Sequence, residues 1–278
     1  AGGDLTAANA LDLNGGNIAI GDASAASIAM TSGLNILFNS LTSPNTITLT
    51  AASGTIGMNS GAGDIGSGGS GDLTAQALNL AGDAGFGTVD AANDIVISAT
   101  GTPTLDNAIS GGNTSITGAS VTLNNGTIGG DLALDATAGD INGTGTVTVG
   151  GGIDLDATGN VGFGSLDAQG GTFTVDAGGN INFTSAASSD DMTLNAGGAL
   201  VADSVSAAKT GSGSVFISAA NGIDLRNVSG NSITLQAFNG LVNVRNNVDV
   251  TEILVAEGAS VSIVTQQDMA VISVASSG

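Results

Sequence analysis

A unit of about 20 residues recurs along this chain, and it constrains the fold more than any other feature. From Ile153 onward an apolar-x-apolar triplet starts at positions 153, 173, 192, 215, 233 and 253, in steps of 20, 19, 23, 18 and 20. Four residues after the first five of these starts stands an alanine: Ala157, Ala177, Ala196, Ala219 and Ala237. Ala51, Ala99 and Ala136 hold the same place upstream, and a glycine follows each alanine closely. A second apolar segment opens eight residues past the triplet start, at Val161, Ile181, Leu200, Ile223 and Leu241. A third is marked by Leu166, Val205 and Val228.

Within each unit apolar residues alternate with Thr, Asp, Asn or Ser, the pattern of a strand with one dry and one wet face. Strands this short cannot bury their inner faces alone. The units must therefore stack, each strand pairing in parallel with its counterpart one turn away. The expected fold is all-β: a parallel β-helix, or solenoid, with coils of about 20 residues. A small side chain recurs where the chain turns because alanine fits inside a corner that would exclude leucine. The adjacent glycines are expected to supply positive φ at those corners.

Regularity is lower toward the start. Leu11/Leu13, Ile18/Ile20, Ile28/Met30 and Leu78/Leu80 are clear apolar pairs at uneven spacing, and residues 59–71 (NSGAGDIGSGGSG) read as a Gly/Ser-rich loop. The expected organisation is one β-helical rod over 1–278, with less regular coils over 1–125 and regular coils over 126–278.

Composition fits a thin-cored solenoid. Of 278 residues 7 are Phe, Trp and Tyr are absent, Gly reaches 46, and 41% are still hydrophobic. The apolar content is therefore Ala, Val, Ile and Leu. With a mean hydropathy of +0.35 and only 2 Pro, the chain is too apolar for a solvated coil. Charge is one-sided: Lys209, Arg226 and Arg245 face 24 acidic residues, for a net −21. Nucleic acid and anionic membrane surfaces need clustered cations, so neither is an expected partner, and membrane insertion is not expected. Without Cys there is no disulfide or thiolate framework.

TITLTAASGTIGM (46–58), DLALDATAGDING (131–143) and TFTVDAGGNINFT (172–184) resemble the shaft repeats of filamentous haemagglutinin-like exoproteins of two-partner secretion. The resemblance covers most of 130–250 well and the rest loosely. It implies a right-handed β-helix in a secreted adhesin or surface filament, extracellular or on the outer cell surface of a Gram-negative bacterium. The matched positions are core and turn residues, so no catalytic or receptor-binding residue carries over.

A glycan-active β-helix is the competing class. Asp154/Asp156 and Asp190/Asp191 are its candidate acid–base pairs. A groove holding three or more aspartates within about 5–10 Å would sustain that reading. Against it stand the absence of His, Tyr and Trp and the scattered cations. No enzymatic activity is therefore expected, and no catalytic, cofactor or metal residue is assigned. Isolated calcium sites in acidic turns stay open, with Gly68–Leu73 (GGSGDL) the closest approach to a calcium-binding nonapeptide turn. Threonines such as Thr46, Thr48 and Thr50 read as outward strand residues, and the Asn-x-Ser/Thr triplets at Asn113, Asn125, Asn142, Asn182 and Asn227 as chance. Phe216 and Phe238 fall where alternation predicts an outward side chain.

Both ends of the sequence continue the strand pattern with no polar cap in view. The expected partners are neighbouring coils of a longer chain, or copies of this one stacked head to tail, with matrix or host-surface glycans as further candidates.

Overall fold

The computed structural model describes residues 3–43, 47–51, 56–58, 64–66, 75–80, 84–91, 94–99, 101–207, 213–263 and 272–276. Every element among them is a β-strand, and every strand pairing is parallel to the same segment one coil away. The fold is a parallel β-solenoid. The chain divides into two compact units, Ala1–Ala138 and Gly139–Gly278.

In the second unit each coil carries three segments. The triplet segments Ile153–Ala157, Phe173–Ala177 and Met192–Ala196 run in register, Ile153 opposite Phe173 opposite Met192 and Ala157 opposite Ala177 opposite Ala196. The second and third segments share continuous strands such as Val161–Ala168 and Ile181–Ser188, with Val161 opposite Ile181 and Leu166 opposite Ala186. Alternation dictates the faces. Ile153, Leu155, Val161, Leu166, Phe173 and Val175 are buried, while the residues alternating with them, such as Asp154, Asp156 and Thr174, face outward. Phe173 meets Phe183 edge-on across the core, ring centroids 6.2 Å apart at 75°.

The corner alanines point inward as expected: Ala136, Ala157, Ala177, Ala196, Ala219 and Ala237 are all buried. The glycines beside them do something other than expected. Gly222, at φ 146°, has positive φ, but it is the sole such glycine among the described residues. The others are needed for close approach. A Cβ on Gly178 would lie 2.3 Å from the Thr158 carbonyl oxygen, and one on Gly197 would lie 2.3 Å from that of Gly178. Successive corners nest backbone against backbone, which excludes any side chain.

Two expected positions shift by one residue. Leu241 is exposed and Val242 is buried in its place, opposite Ile223. The following triplet is likewise in register through Leu254 opposite Ile233, so it starts there and not at Ile253. The first shift comes from corner length: Ile223 stands four positions after Ala219, but Val242 stands five after Ala237, and two further register shifts precede Leu254. One added residue reverses which side chains face in.

In the first unit the coils are uneven. Ala10 pairs with Ser27, 17 residues on, whereas Thr50 pairs with Asn79, 29 residues on. The longer coil contains the 59–71 span, which is not all loop. Asp64–Gly66 is a strand, with Ile65 in register between Leu41 and Val89. The rest of that span lies outside the described residues, as do Thr46, Lys209 and the Gly68–Leu73 turn.

Candidate functional site

The polar residues that sit directly before an inward strand residue form ladders from coil to coil. Asp140 Oδ1 accepts the backbone N–H of Asn160 at 2.6 Å, Asn160 Oδ1 that of Asn180 at 2.8 Å, and Asn180 Oδ1 that of Ala199 at 2.8 Å. A second ladder precedes the triplet strands. There Asp94 accepts the N–H of Asn113 at 2.7 Å, and Asn113 that of Asp131 at 2.8 Å. In the same position Asp191 accepts the N–H of Ser214 at 2.8 Å. Buried serines close the corners: Ser188 Oγ donates to the Gly171 carbonyl at 2.9 Å and Ser32 Oγ to that of Gly16 at 2.9 Å.

Sequence reasoning missed these ladders, although their signal is there: an Asn or Asp immediately ahead of several of the apolar pairs, at Asp94, Asp131, Asp140, Asn160, Asn180 and Asp191. They also reassign one candidate acid–base pair. Asp190 accepts the backbone N–H of Asp191 at 3.0 Å, and Asp191 is a ladder residue. The structure uses both carboxylates as turn acceptors.

Asp154 and Asp156 have a different setting. Both face outward on Ile153–Ala157, with Asp156 in register with Asp176 on the next coil and Asp176 with Asn195 after it. Strands lie about 4.8 Å apart and alternate residues about 7 Å apart, so three carboxylates share a small area. Asp156, Asp176, Asn195 and Ser218 line an open cleft of about 310 Å³ floored by Gly178 and Gly197. Asn195 Nδ2 donates to Asp176 Oδ1 at 2.7 Å. The Asp154 carboxyl is held above its ordinary value, first by partial burial and then by the negative charges of Asp156 and Asp176. Among the described residues no group of three or more His, Cys, Asp or Glu converges to hold a metal ion.

A second concavity of about 210 Å³ lies over Gly222, lined by Val201, Asn221, Asp224, Leu241 and Asn243 among others. Asp224 is the best-anchored carboxylate beside it. Asn243 Nδ2 donates to its Oδ1 at 3.1 Å, Arg245 Nε donates to the same oxygen at 2.7 Å, and Arg245 Nη2 bonds Oδ2. Phe216 and Phe238 are outward, as alternation predicts, Phe238 being 65% exposed.

Compared with known proteins, the chain matches no family model, no curated protein and no solved structure.

Proposed function

We propose that this chain is a structural shaft, a stretch of an extracellular bacterial adhesin or surface filament of the filamentous haemagglutinin-like kind. Its partners are further coils of the same protein or copies stacked end to end. One observation carries the reading. The outward Asn and Asp side chains spend their acceptors on the backbone of the next coil, at Asp94, Asn113, Asp140, Asn160, Asn180 and Asp191. Side chains committed to coil-to-coil cohesion serve load and length. Electron microscopy of the purified chain tests this: discrete rods or end-to-end fibres support it, and compact isometric particles overturn it.

A glycan-cleaving β-helix is the second reading, and one observation favours it. Asp154, Asp156 and Asp176 bring three carboxylates together beside an open cleft, one of them with its ionisation disfavoured. A protonated and an ionised carboxyl some 6.5–9.5 Å apart is the arrangement of an inverting glycosidase. Release of reducing ends from a polysaccharide panel, abolished by Asp154→Asn, would establish this reading over the shaft. No release by the parent chain would dismiss it.

A further inference from the structure

We propose that the concavity over Gly222 binds one uncharged pyranose ring of a glycan, a lateral site that goes beyond the shaft reading and does not depend on it. The repeat is broken here and in a directed way. The residue immediately before the inward strand position is Asn160, Asn180, Ala199 and Gly222 in successive coils, then Leu241. The extra corner residue turns Leu241 out to 43% exposure, and Val201 stands 44% exposed on the coil two below. Gly222, between them, has a left-handed φ and no side chain to fill the gap. Two large aliphatic side chains held in water around a glycine floor are unfavourable for the free chain and call for an apolar-faced occupant.

The polar groups narrow its chemistry. Asp224 is fixed by Asn243 and by both nitrogens of Arg245, yet its side chain keeps 36% of its surface exposed. It is a preoriented acceptor for hydroxyl groups, and Asn221 and Asn243 add amide donors and acceptors. Apolar walls with a few fixed hydroxyl-binding groups suit the C–H face and hydroxyl rim of a sugar. Charge selects an uncharged one. The one carboxylate lining the concavity, Asp224, is paired with Arg245, whereas the whole chain carries −21 and repels polyanions. A concavity of about 210 Å³ is below the size of drug-sized pockets and admits a single ring.

The test uses the full chain on an array of neutral oligosaccharides (glucans, mannans, galactans) alongside polygalacturonate and sulfated polysaccharide, followed by calorimetry on whatever binds. Leu241→Asn restores the residue that coils at 160 and 180 carry, and Asp224→Asn removes the acceptor. Leu241 is exposed and Asp224 half-buried, and circular dichroism checks the fold of both variants. Asp12→Asn, an exposed position in the first unit and in neither cleft, is the control. The expected result is binding of a neutral glycan, weakened about tenfold or more by Leu241→Asn and by Asp224→Asn and unchanged by Asp12→Asn. Binding of no neutral glycan, binding of acidic glycans alone, or undiminished affinity in both variants overturns the proposal. Concentration-dependent dimers that Leu241→Asn abolishes also overturn it, assigning the concavity to a second copy of the chain. None of these results bears on the shaft reading, which the electron microscopy decides separately.

Discussion

The Oδ1 of Asn160 accepts the backbone N–H of Asn180 one coil further on, at 2.8 Å, while the backbone N–H of Asn160 donates to Asp140 behind it. The bond needs an acceptor oxygen, which Asp and Asn both supply, and the Asn160 amide adds a donor, Nδ2 to Asp140 Oδ1 at 3.0 Å. Asn160→Ala should cost about 1 kcal/mol, and Asn160→Asp, which keeps the acceptor but sets a second carboxylate against Asp140, should cost a comparable amount at neutral pH. A solenoid can lose all-or-none behaviour, so the local readout is hydrogen exchange at the Asn180 amide, expected to quicken in the alanine variant.

Thr114 breaks an apolar column. It lies in register between Ile95 and Leu132, it is buried, and its Oγ1 has no hydrogen-bond partner. A buried hydroxyl without a partner retains its desolvation cost. Thr114→Val should therefore stabilise the chain by about 1 kcal/mol, seen as a higher urea midpoint. A lower midpoint would show that the hydroxyl is satisfied in solution.

Ala219 is fully buried between the in-register alanines Ala196 and Ala237. Ala219→Leu forces three extra carbon atoms into a corner already nested against its neighbours, at a cost of about 1–3 kcal/mol. The expected signature is a lowered urea midpoint. An unchanged one would mean that the corner has room, removing the reason given for the recurrent alanine.

The repeat was legible because burial in a solenoid is a matter of parity. Alternation names the inward residue, and Ile153, Val161 and Leu166 are all buried where it places them. Parity also explains the failures. It is reset at every corner, so one added residue between Ala237 and Val242 put Leu241 outside, and two further register shifts along the following strand carried the next triplet to Leu254. The glycines were visible but their reason was not, since a close backbone approach at Gly178 depends on the coil beneath it. The Asn and Asp ladders were hidden for a like reason: composition shows many Asn and Asp, and only register shows that Asp140, Asn160 and Asn180 stand above one another. The Asp154 pair was picked out by spacing alone, whereas the third carboxylate, Asp176, joins it only through coil-to-coil register.

The carboxylates near that cleft make stability depend on pH in a defined direction. The Asp154 carboxyl is raised above its ordinary value of 3.8 by partial burial and by Asp156 and Asp176, and unfolding removes both causes. Between 3.8 and the folded value the folded chain holds the proton more tightly than the unfolded chain. Stability from this group therefore falls as pH rises through that interval, and above it the penalty is fully present. Asp154→Asn removes the penalty. The variant should be more stable than the parent at pH 7, and its advantage should shrink as the pH falls toward 3.8. Urea midpoints of the two proteins at matched pH values check this. An advantage that stays constant over the whole range would show that the gain comes from the amide itself and not from relief of carboxylate repulsion.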